Sequence, residues 1–140
     1  MGDMQRYTLC FIFSEDLREV ILIKKNKPVW QSGNYNGVGG KIEPNEESID
    51  GVVREVFEEI DIKLTQATWF KELSGEDALD LDWVVDCYSA VINKEDNPIN
   101  NKTDEIAKWF RVDKLPKNKL YEVQDLVLNA WSNSKGVKVK

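Results

Sequence analysis

One segment constrains this chain more than any other: residues 39–62, which read GGKIEPNEESIDGVVREVFEEIDI. Its apolar residues recur at intervals of three and four, which predicts an amphipathic helix over residues 46–60. The other face carries Glu55, Glu58 and Glu59, called the helix acids below. They fall within about one turn, because side chains three and four positions apart are neighbours on a helix. The residues assigned to the buried face are Ile49, Val52, Val53, Val56, Phe57 and Ile60.

The helix acids are an unfavourable arrangement when taken alone. Each like-charge pair at this spacing destabilises a helix by roughly 0.2–0.5 kcal/mol, and acids near a C-terminus oppose the helix dipole by roughly 0.3–1 kcal/mol each. A solvated acidic face is the plain interpretation. The alternative is a site for a hard divalent cation, since Mg²⁺ prefers carboxylate oxygens and water. Arg54 comes just before the helix acids and is expected to neutralise one of them or to hold it in position.

Composition excludes several classes of mechanism. The chain has no His, which removes Ser-His-Asp and Cys-His nucleophilic systems and His-rich zinc sites. Cys10 and Cys87 both lie in apolar runs, so buried free thiols are expected. The net charge of −6 disfavours binding to a nucleic acid polymer, which needs a basic stripe. A small polyphosphate bridged by metal ions remains compatible with that charge.

Length and hydropathy predict a soluble protein. The 140 residues suit a single domain over residues 1–140. No apolar run approaches the roughly 20 residues of a membrane span, and the N-terminus lacks the pattern of a signal peptide. We therefore expect a cytoplasmic protein with no membrane partner. Its oligomeric state, monomer or homodimer, is left open by the sequence.

Six residues of the central segment stand at the positions of a known signature. They fit the pattern Gly, five residues, Glu, seven residues, Arg-Glu, apolar, any, Glu-Glu. This pattern resembles the signature of the Nudix hydrolases, and its fixed spacing makes the match specific. Asp61 stands where that family has Gly, which ends a helix in the left-handed conformation. Because Asp tolerates this conformation better than most residues, we expect a modest stability cost and intact chemistry. The matching residues are Gly40, Glu46, Arg54, Glu55, Glu58 and Glu59.

The run NYNGVGGKIE, residues 34–43, resembles the MutT-type branch of that family, in particular the enzymes that hydrolyse oxidised purine nucleoside triphosphates. The resemblance implies a site for Mg²⁺, with Mn²⁺ as a substitute, bound by the Gly40 carbonyl and the helix acids. It also implies that Glu105, in the segment TDEIAKWFRVDKLP, reaches the metal, although a plain loop carboxylate is the alternative. Glu58 and Glu105 are both candidates for the general base. Glu55 and Arg54 complete the expected catalytic set.

Five further residues are expected to contact substrate. The resemblance implies that Asn36 faces the base, with a turn residue that bonds its own backbone as the alternative. Trp30 and Tyr35 are the aromatic residues best placed to stack on a base, although a core position is the default for aromatic side chains. Gly39 and Lys41, on either side of the candidate carbonyl, complete the substrate set. One of the three lysines at positions 24, 25 and 27 could meet phosphate, with a solvated loop as an equally supported alternative.

The remaining sequence predicts a sheet and a second helix. Apolar runs rich in aromatic and branched residues predict strands, the first of them central and buried on both faces. Asn45 is expected to cap the first helix, and Glu46 to support its start rather than to bind metal. The expected fold is the Nudix-type α/β/α sandwich, with a mixed sheet between helices. The predicted strands are 7–13, 19–24, 67–73 and 82–92; the predicted turns and loops are 14–18, 30–40, 74–81 and 93–103; the second helix is 119–132, with Leu120, Val123, Val127, Leu128 and Trp131 inside.

Three functions follow as hypotheses from the resemblance. The leading one is Mg²⁺-dependent hydrolysis of a (deoxy)nucleoside triphosphate, with oxidised purine nucleotides among the candidates, to the monophosphate and pyrophosphate. The second is a pyrophosphatase for ADP-ribose, nucleotide sugars or dinucleoside polyphosphates. No added motif selects this second class. The oxidised-purine assignment itself is weakened, because only Glu122 and Asp125 are available where those enzymes keep a pair of acids. The third is a nucleotide-binding regulatory module without catalysis, which the complete set of signature acids disfavours.

Overall fold

Two adjacent parallel strands form the centre of the fold. The computed structural model describes residues 4–76 and 82–137, and in it β1 (Gln5–Ser14) pairs in parallel with β6 (Asp82–Ile92) along its whole length. Residues 8–14 of β1 are all buried. Both faces of this strand are therefore covered, which explains its almost continuous apolar sequence and confirms the predicted central strand.

The other strands extend this pair into one mixed sheet of seven strands within the described residues. β2 (Glu19–Lys24) forms an antiparallel hairpin with β1 and also pairs with β7 (Ile106–Arg111). β5 (Thr68–Glu76) is antiparallel to β6. Two short strands, β3 (Tyr35–Asn36) and β4 (Val38–Lys41), pair with β2 and β1 respectively.

Two helices cover opposite faces of the sheet. Successive residues of a strand point to opposite faces, and the core divides accordingly. Ile12 and Ile21 pack with α1 (Ser48–Ile60), whereas Phe11 and Leu22 pack with α2 (Val123–Ser134). The predicted α/β/α sandwich is thereby confirmed.

The start and the buried face of α1 differ from the prediction. The helix begins at Ser48, and Asn45 has a φ of 66° in the preceding turn instead of capping the helix. Ile49 is 40% exposed and Phe57 is 50% exposed. The residues of the predicted face that are fully buried are Val52, Val56 and Ile60.

The start and the buried face of α2 also differ from the prediction. This helix begins at Val123, four residues after the predicted start, because residues 119–122 form a bridge and a turn. Leu128 is 47% exposed, although the pattern assigns it to the inner side. Leu126 takes its place in the core.

Residues 35–36 and 38–40 are strands rather than the loop that is predicted over 30–40. Of that predicted loop, residues 30–34, which include part of the 3-10 turn Val29–Gln31, and Gly37 lie outside the strands. A Cβ on Gly39 would lie 2.1 Å from the Thr8 carbonyl oxygen. Glycine is needed there because two strands approach closely, not because the chain turns.

Other segments agree with the sequence in different degrees. The predicted strands 19–24 and 82–92 have the observed bounds, and Cys10 and Cys87 are buried free thiols. The turn predicted at 74–81 is wrong for residues 74–76, which belong to β5; residues 77–81 lie outside the described part of the chain. In the described ranges, no helix is long and apolar enough to cross a membrane.

Candidate active site

Arg54 is the centre of the candidate site. From α1, its Nε and Nη2 donate to the two carboxylate oxygens of Glu46 at 2.8 and 2.9 Å, and its Nη1 reaches Glu55 at 3.0 Å and Glu58 at 2.9 Å. Nη2 also donates to the Lys41 carbonyl oxygen at 3.0 Å. The rigid fork of a guanidinium suits such multiple contacts. One cation therefore offsets the repulsion between acids and ties α1 to β4.

Glu46 supports the turn before α1. Besides the bidentate contact with Arg54, its Oε1 accepts a hydrogen bond from the Glu43 amide at 2.9 Å. The Arg54 hydrogen bond, followed by that of the Glu43 amide, lowers the pKa of Glu46 to about 2. Its carboxylate is thus held ionised in the supporting position that the sequence predicts.

Gly40 brings the main chain of β4 against the helix acids. A Cβ at this position would lie 2.5 Å from the carboxyl carbon of Glu55, closer than real contacts allow. The Gly40 carbonyl oxygen accepts a hydrogen bond from Thr8 Oγ1 at 3.4 Å. An alanine here would therefore displace the Glu55 carboxylate, and a main-chain carbonyl lies in the same neighbourhood as the carboxylates.

Burial disfavours the charged form of two helix acids. It raises the pKa of Glu55 despite the opposing hydrogen bond from Arg54. It also raises the pKa of Glu59, although the Thr103 hydrogen bond and the Lys25 charge act in the other direction. The neighbouring carboxylates add to both increases. A nearby cation would relieve this cost of holding the acids ionised.

The C-terminus of α1 confirms the conformation expected of Asp61, which has φ 60° and ψ 34°. A distant loop satisfies the last carbonyl groups of the helix. The amides of Asn100 and Lys102 donate to the carbonyl oxygens of Ile60 and Glu59, each at 3.0 Å. These bonds satisfy carbonyl groups at the negative end of the helix dipole, close to the helix acids.

The carboxylate of Glu105 is bonded to residues 25–27, and its charge also acts on Glu59. It accepts hydrogen bonds from Lys25 Nζ and from the amides of Asn26 and Lys27. The sequence singles out Lys25 only as one of three lysines that could meet phosphate, and the structure pairs it with Glu105. Thr103 links the two regions, since its Oγ1 donates to Glu59 and accepts from the Glu105 amide. No periodicity or spacing in the sequence points to Thr103.

The candidate substrate residues differ widely in exposure. Trp30 is 72% exposed on its 3-10 turn. Tyr35 is 7% exposed and packs edge-to-face on Phe110 at 4.9 Å, so the expectation that it stacks on a base is replaced by a core position. Asn36 Oδ1 accepts a hydrogen bond from the Gly37 amide at 2.8 Å, which is the turn contact considered as its alternative.

The residues on either side of Gly40 also have structural roles. Gly39 permits the close approach of β4 to β1, and the Lys41 carbonyl oxygen accepts a hydrogen bond from Arg54. The side chain of Lys41 is exposed. The backbones of Gly39 and Lys41 therefore have structural roles, whereas the exposed side chain of Lys41 is available to contact a ligand.

The donor set fits a hard divalent cation. Three carboxylates and a main-chain carbonyl are the oxygen ligands that Mg²⁺ takes in proteins. Burial raises the pKa of Glu55 and of Glu59, and a bound cation would oppose that effect by stabilising their ionised forms. In their present arrangement, no three acidic side chains of residues 4–76 and 82–137 are grouped as metal ligands. Arg54 instead contacts Glu55 and Glu58 directly.

Comparison with protein families identifies the class of this protein. A family model described as the NUDIX domain matches residues 3–131. The chain therefore belongs to the Nudix hydrolase family. Together with the site on α1, this membership makes it an enzyme of the pyrophosphohydrolase class.

Solved structures with the same fold have low sequence identity to this chain. A MutT Nudix hydrolase from Burkholderia pseudomallei has a TM-score of 0.77 and 23% identity, covering 91% of this chain and 98% of that chain. The Nudix domain of Shewanella oneidensis NrtR, complexed with ADP ribose, has a TM-score of 0.77 and 17% identity, with coverages of 95% and 90%. The Escherichia coli dihydroneopterin triphosphate pyrophosphohydrolase has a TM-score of 0.75 and 14% identity, with coverages of 91% and 95%.

Proposed function

We propose that this protein hydrolyses a nucleoside diphosphate linked to another group, with a (deoxy)nucleoside triphosphate as the leading substrate. Oxidised purine nucleotides are included in that class, and the products are the monophosphate and pyrophosphate. The observation that carries the proposal is the cluster in which Arg54 orders Glu55 and Glu58 beside the Gly40 carbonyl. Such a set suits a reaction that develops negative charge on phosphate oxygens.

The cluster provides ligands for Mg²⁺, or for Mn²⁺ in its place. The helix acids and the Gly40 carbonyl would hold the ion. Bound there, it would neutralise charge on the phosphate oxygens and lower the pKa of the attacking water. Arg54 contributes by keeping the carboxylates of Glu55 and Glu58 in fixed positions before substrate arrives.

Glu58 is the proposed general base. Its side chain is 51% exposed, whereas that of Glu105 is 5% exposed and already accepts three hydrogen bonds. A base must reach the proton that it removes. As the water oxygen bonds to phosphorus, its proton passes to Glu58, and the phosphoanhydride bond breaks with its electron pair on the leaving phosphate oxygen.

Trp30, Asn36, Gly39 and Lys41 are the proposed substrate residues in this scheme. Trp30 offers an open aromatic face, and Lys41, the residue after Gly40, an exposed basic side chain. Asn36 would have to exchange its contact with the Gly37 amide for one with the base. Gly39 contributes through its backbone only.

Hydrolysis of ADP-ribose or a related nucleotide is the second candidate. The support for it is the NrtR domain complexed with ADP ribose, whose TM-score equals that of the Burkholderia enzyme named as MutT. A substrate panel separates the two candidates: deoxynucleoside triphosphates, their oxidised purine forms, ADP-ribose, a nucleotide sugar and a dinucleoside polyphosphate, each assayed with Mg²⁺ for phosphate and pyrophosphate release.

The panel has clear outcomes. Preferred release of pyrophosphate from a nucleoside triphosphate supports the first candidate, and preferred cleavage of ADP-ribose or of a dinucleotide supports the second. If no compound is hydrolysed, calorimetry with the same panel measures whether the protein binds nucleotides. Nucleotide binding without turnover in Mg²⁺ or Mn²⁺ would instead identify a binding module and contradict both enzymatic proposals.

A further inference from the structure

Glu105 is the most buried charged residue of the described chain, at 4% exposure. Both of its carboxylate oxygens have partners. Oε1 accepts a hydrogen bond from Lys25 Nζ at 2.9 Å, and Oε2 accepts from the amides of Asn26 at 2.7 Å and Lys27 at 3.2 Å. Burial acts to raise the pKa of Glu105, but these donors outweigh it, and the pKa lies below its usual value. The carboxylate is thus ionised, and both of its oxygens are bonded to residues 25–27.

The partners of Glu105 lie at the base of one loop, residues 25–34. The Lys25 amide donates to the Asn34 carbonyl oxygen at 2.9 Å, and the Lys25 carbonyl oxygen accepts from the Gly33 amide at 2.8 Å. Lys25 therefore closes the loop through its backbone while its side chain bonds Glu105. The Glu105 carboxylate is therefore a buried contact at the base of the 25–34 loop, beside the hydrogen bonds from Asn26 Nδ2 to the Asp104 carbonyl oxygen and from Asn118 Nδ2 to the Gly33 carbonyl oxygen.

The tip of the 25–34 loop carries an exposed apolar surface. Val29 is 90% exposed and Trp30 is 72% exposed. An exposed aromatic face on an otherwise anchored turn is suited to stack on a planar ligand group. Its usefulness depends on a fixed position, because ordering a mobile loop on binding lowers affinity.

The 25–34 loop is also connected to the helix acids. Thr103 Oγ1 donates to Glu59 at 3.1 Å and accepts from the Glu105 amide at 3.1 Å. The charge of Lys25 acts on Glu59 as well. A continuous set of contacts thus leads from the third helix acid through Thr103 and Glu105 to the loop.

We infer that Glu105 is a positioning residue, which fixes the 25–34 loop for substrate binding and is neither a metal ligand nor the general base. This inference rests on the proposed function and specifies how that site recognises its substrate. Through the loop, Glu105 holds the turn that carries Trp30 at a set position relative to the helix acids. A ligand role would place a metal ion next to the Lys25 ammonium, which contacts Oε1 at 2.9 Å, and like charges repel.

Two substitutions at Glu105 test this assignment. Glu105→Ala removes every contact with the loop, and Glu105→Gln keeps the size and one acceptor oxygen while losing the charge. The matched control is Asp104→Ala, which removes an adjacent exposed acid. Lys25→Met removes the ion pair from the other side and keeps the test available if Glu105→Ala does not fold.

The first measurement is amide hydrogen exchange, which needs neither substrate nor metal. Exchange at Asn26 and Lys27 should accelerate by about tenfold or more in Glu105→Ala, because a hydrogen bond to a charged group is lost at each amide. The Asp104→Ala control should leave both amides protected. Unchanged exchange in a folded Glu105→Ala protein would overturn the inference.

The second measurement separates loop positioning from metal chemistry. With the best substrate of the panel, KM should rise by about tenfold or more in both Glu105 variants and in Lys25→Met, while kcat stays within about threefold. The affinity for Mn²⁺ alone, measured by calorimetry, should be that of the wild type. A loss of Mn²⁺ affinity, or a fall in kcat at constant KM, would make Glu105 a ligand or a base and overturn the inference.

These outcomes are distinct from failure of the proposed function. If the wild-type protein turns over no member of the panel, the proposed function fails, and the exchange data still report whether Glu105 anchors the loop. If the wild type is active and the Glu105 variants lose metal affinity, the proposed function stands and the positioning role fails.

Discussion

The two helices of this protein pack on opposite faces of one sheet, but they serve different purposes. α1 buries one apolar stripe against the sheet, and its other face carries Arg54 and the helix acids. α2 carries no such cluster, and its contribution is the second core. Unfavourable repulsion between like charges is found in α1, which holds the site, whereas α2 packs apolar side chains against the sheet.

The largest expected effect is a loss of turnover on substitution of a helix acid on α1. Glu58→Gln should reduce Mg²⁺-dependent turnover by roughly 100-fold or more, because a ligand and base is removed where a metal supplies several kcal/mol of charge stabilisation. Steady-state kinetics on the best panel substrate provides the measurement. Glu47→Gln, an exposed acid just before the helix, is the control and should remain active. Normal turnover in Glu58→Gln would contradict the site.

The corresponding test on α2 should change stability instead of chemistry. Leu126→Ala should lower the free energy of unfolding by about 2–5 kcal/mol, because Leu126 is 3% exposed and truncation leaves a cavity. Leu128→Ala in the same helix should cost only about 0.5 kcal/mol, since Leu128 is 47% exposed. Urea denaturation measures both. If the folded Leu126→Ala protein lost its kcat while Leu128→Ala did not, the division between the helices would be wrong.

A third substitution tests the contact between α1 and the sheet. Gly40→Ala places a methyl group where the Glu55 carboxylate now lies, and turnover should fall by about tenfold or more through displacement of that acid. Gly51→Ala is the matched control, because its Cβ would meet Glu46 Oε1 at 3.1 Å, a contact that a small shift relieves. Equal kinetics in the two variants would show that the position of Glu55 does not matter for the reaction.

The free energy of unfolding should depend on pH in opposite ways through Glu46, in the turn before α1, and through Glu55 and Glu59, on α1. The lowered pKa of Glu46 means that its contribution is present above about pH 4.5 and is lost as pH falls toward about 2. Glu55 and Glu59, whose pKa values are raised, act oppositely, and their contribution is lost as pH rises through those values. Urea denaturation of metal-free protein should therefore show a flatter acid limb in Glu46→Gln, whereas Glu43→Gln should match the wild type.

The smallest expected effect concerns the end of α1. Asp61→Gly should change the free energy of unfolding by less than about 1 kcal/mol, because relief of the left-handed conformation is offset by loss of the bond from Asn100 Nδ2 at 3.1 Å. Asp61→Ala loses that bond without gaining backbone freedom and should cost about 1 kcal/mol or more. Thermal unfolding measures both. A more stable Ala variant would refute this account of the helix end.

Much of the fold could be predicted from the sequence. The strands at 19–24 and 82–92 are continuous apolar runs bounded by polar residues, so local sequence determines their limits. β4 and β7 could not be predicted in that way. The glycines of β4 resemble a loop, but Gly39 faces the Thr8 carbonyl on β1 and Gly40 faces the Glu55 carboxylate. β7 is specified by its pairing with β2, a contact between residues more than 80 positions apart.

The candidate site divides along the same line. The gathering of the helix acids beside Arg54 is a matter of spacing along a single helix, and it was therefore open to sequence reasoning. The surroundings of Glu105 were not, because its partners lie 78 to 80 residues earlier. Tyr35 also required the fold, since an aromatic residue before a glycine-rich run gives no sign of whether it faces solvent or the core.

By itself, the sequence determined the two layers of helix, the central strand and the acidic face of α1, because each depends on periodicity within a short segment. Only the tertiary structure decided which carboxylates share Arg54 with Glu46, and which one is enclosed by the base of the 25–34 loop. Hydrogen bonds and burial of charge depend on groups that meet from distant parts of the chain, and no local pattern records those meetings.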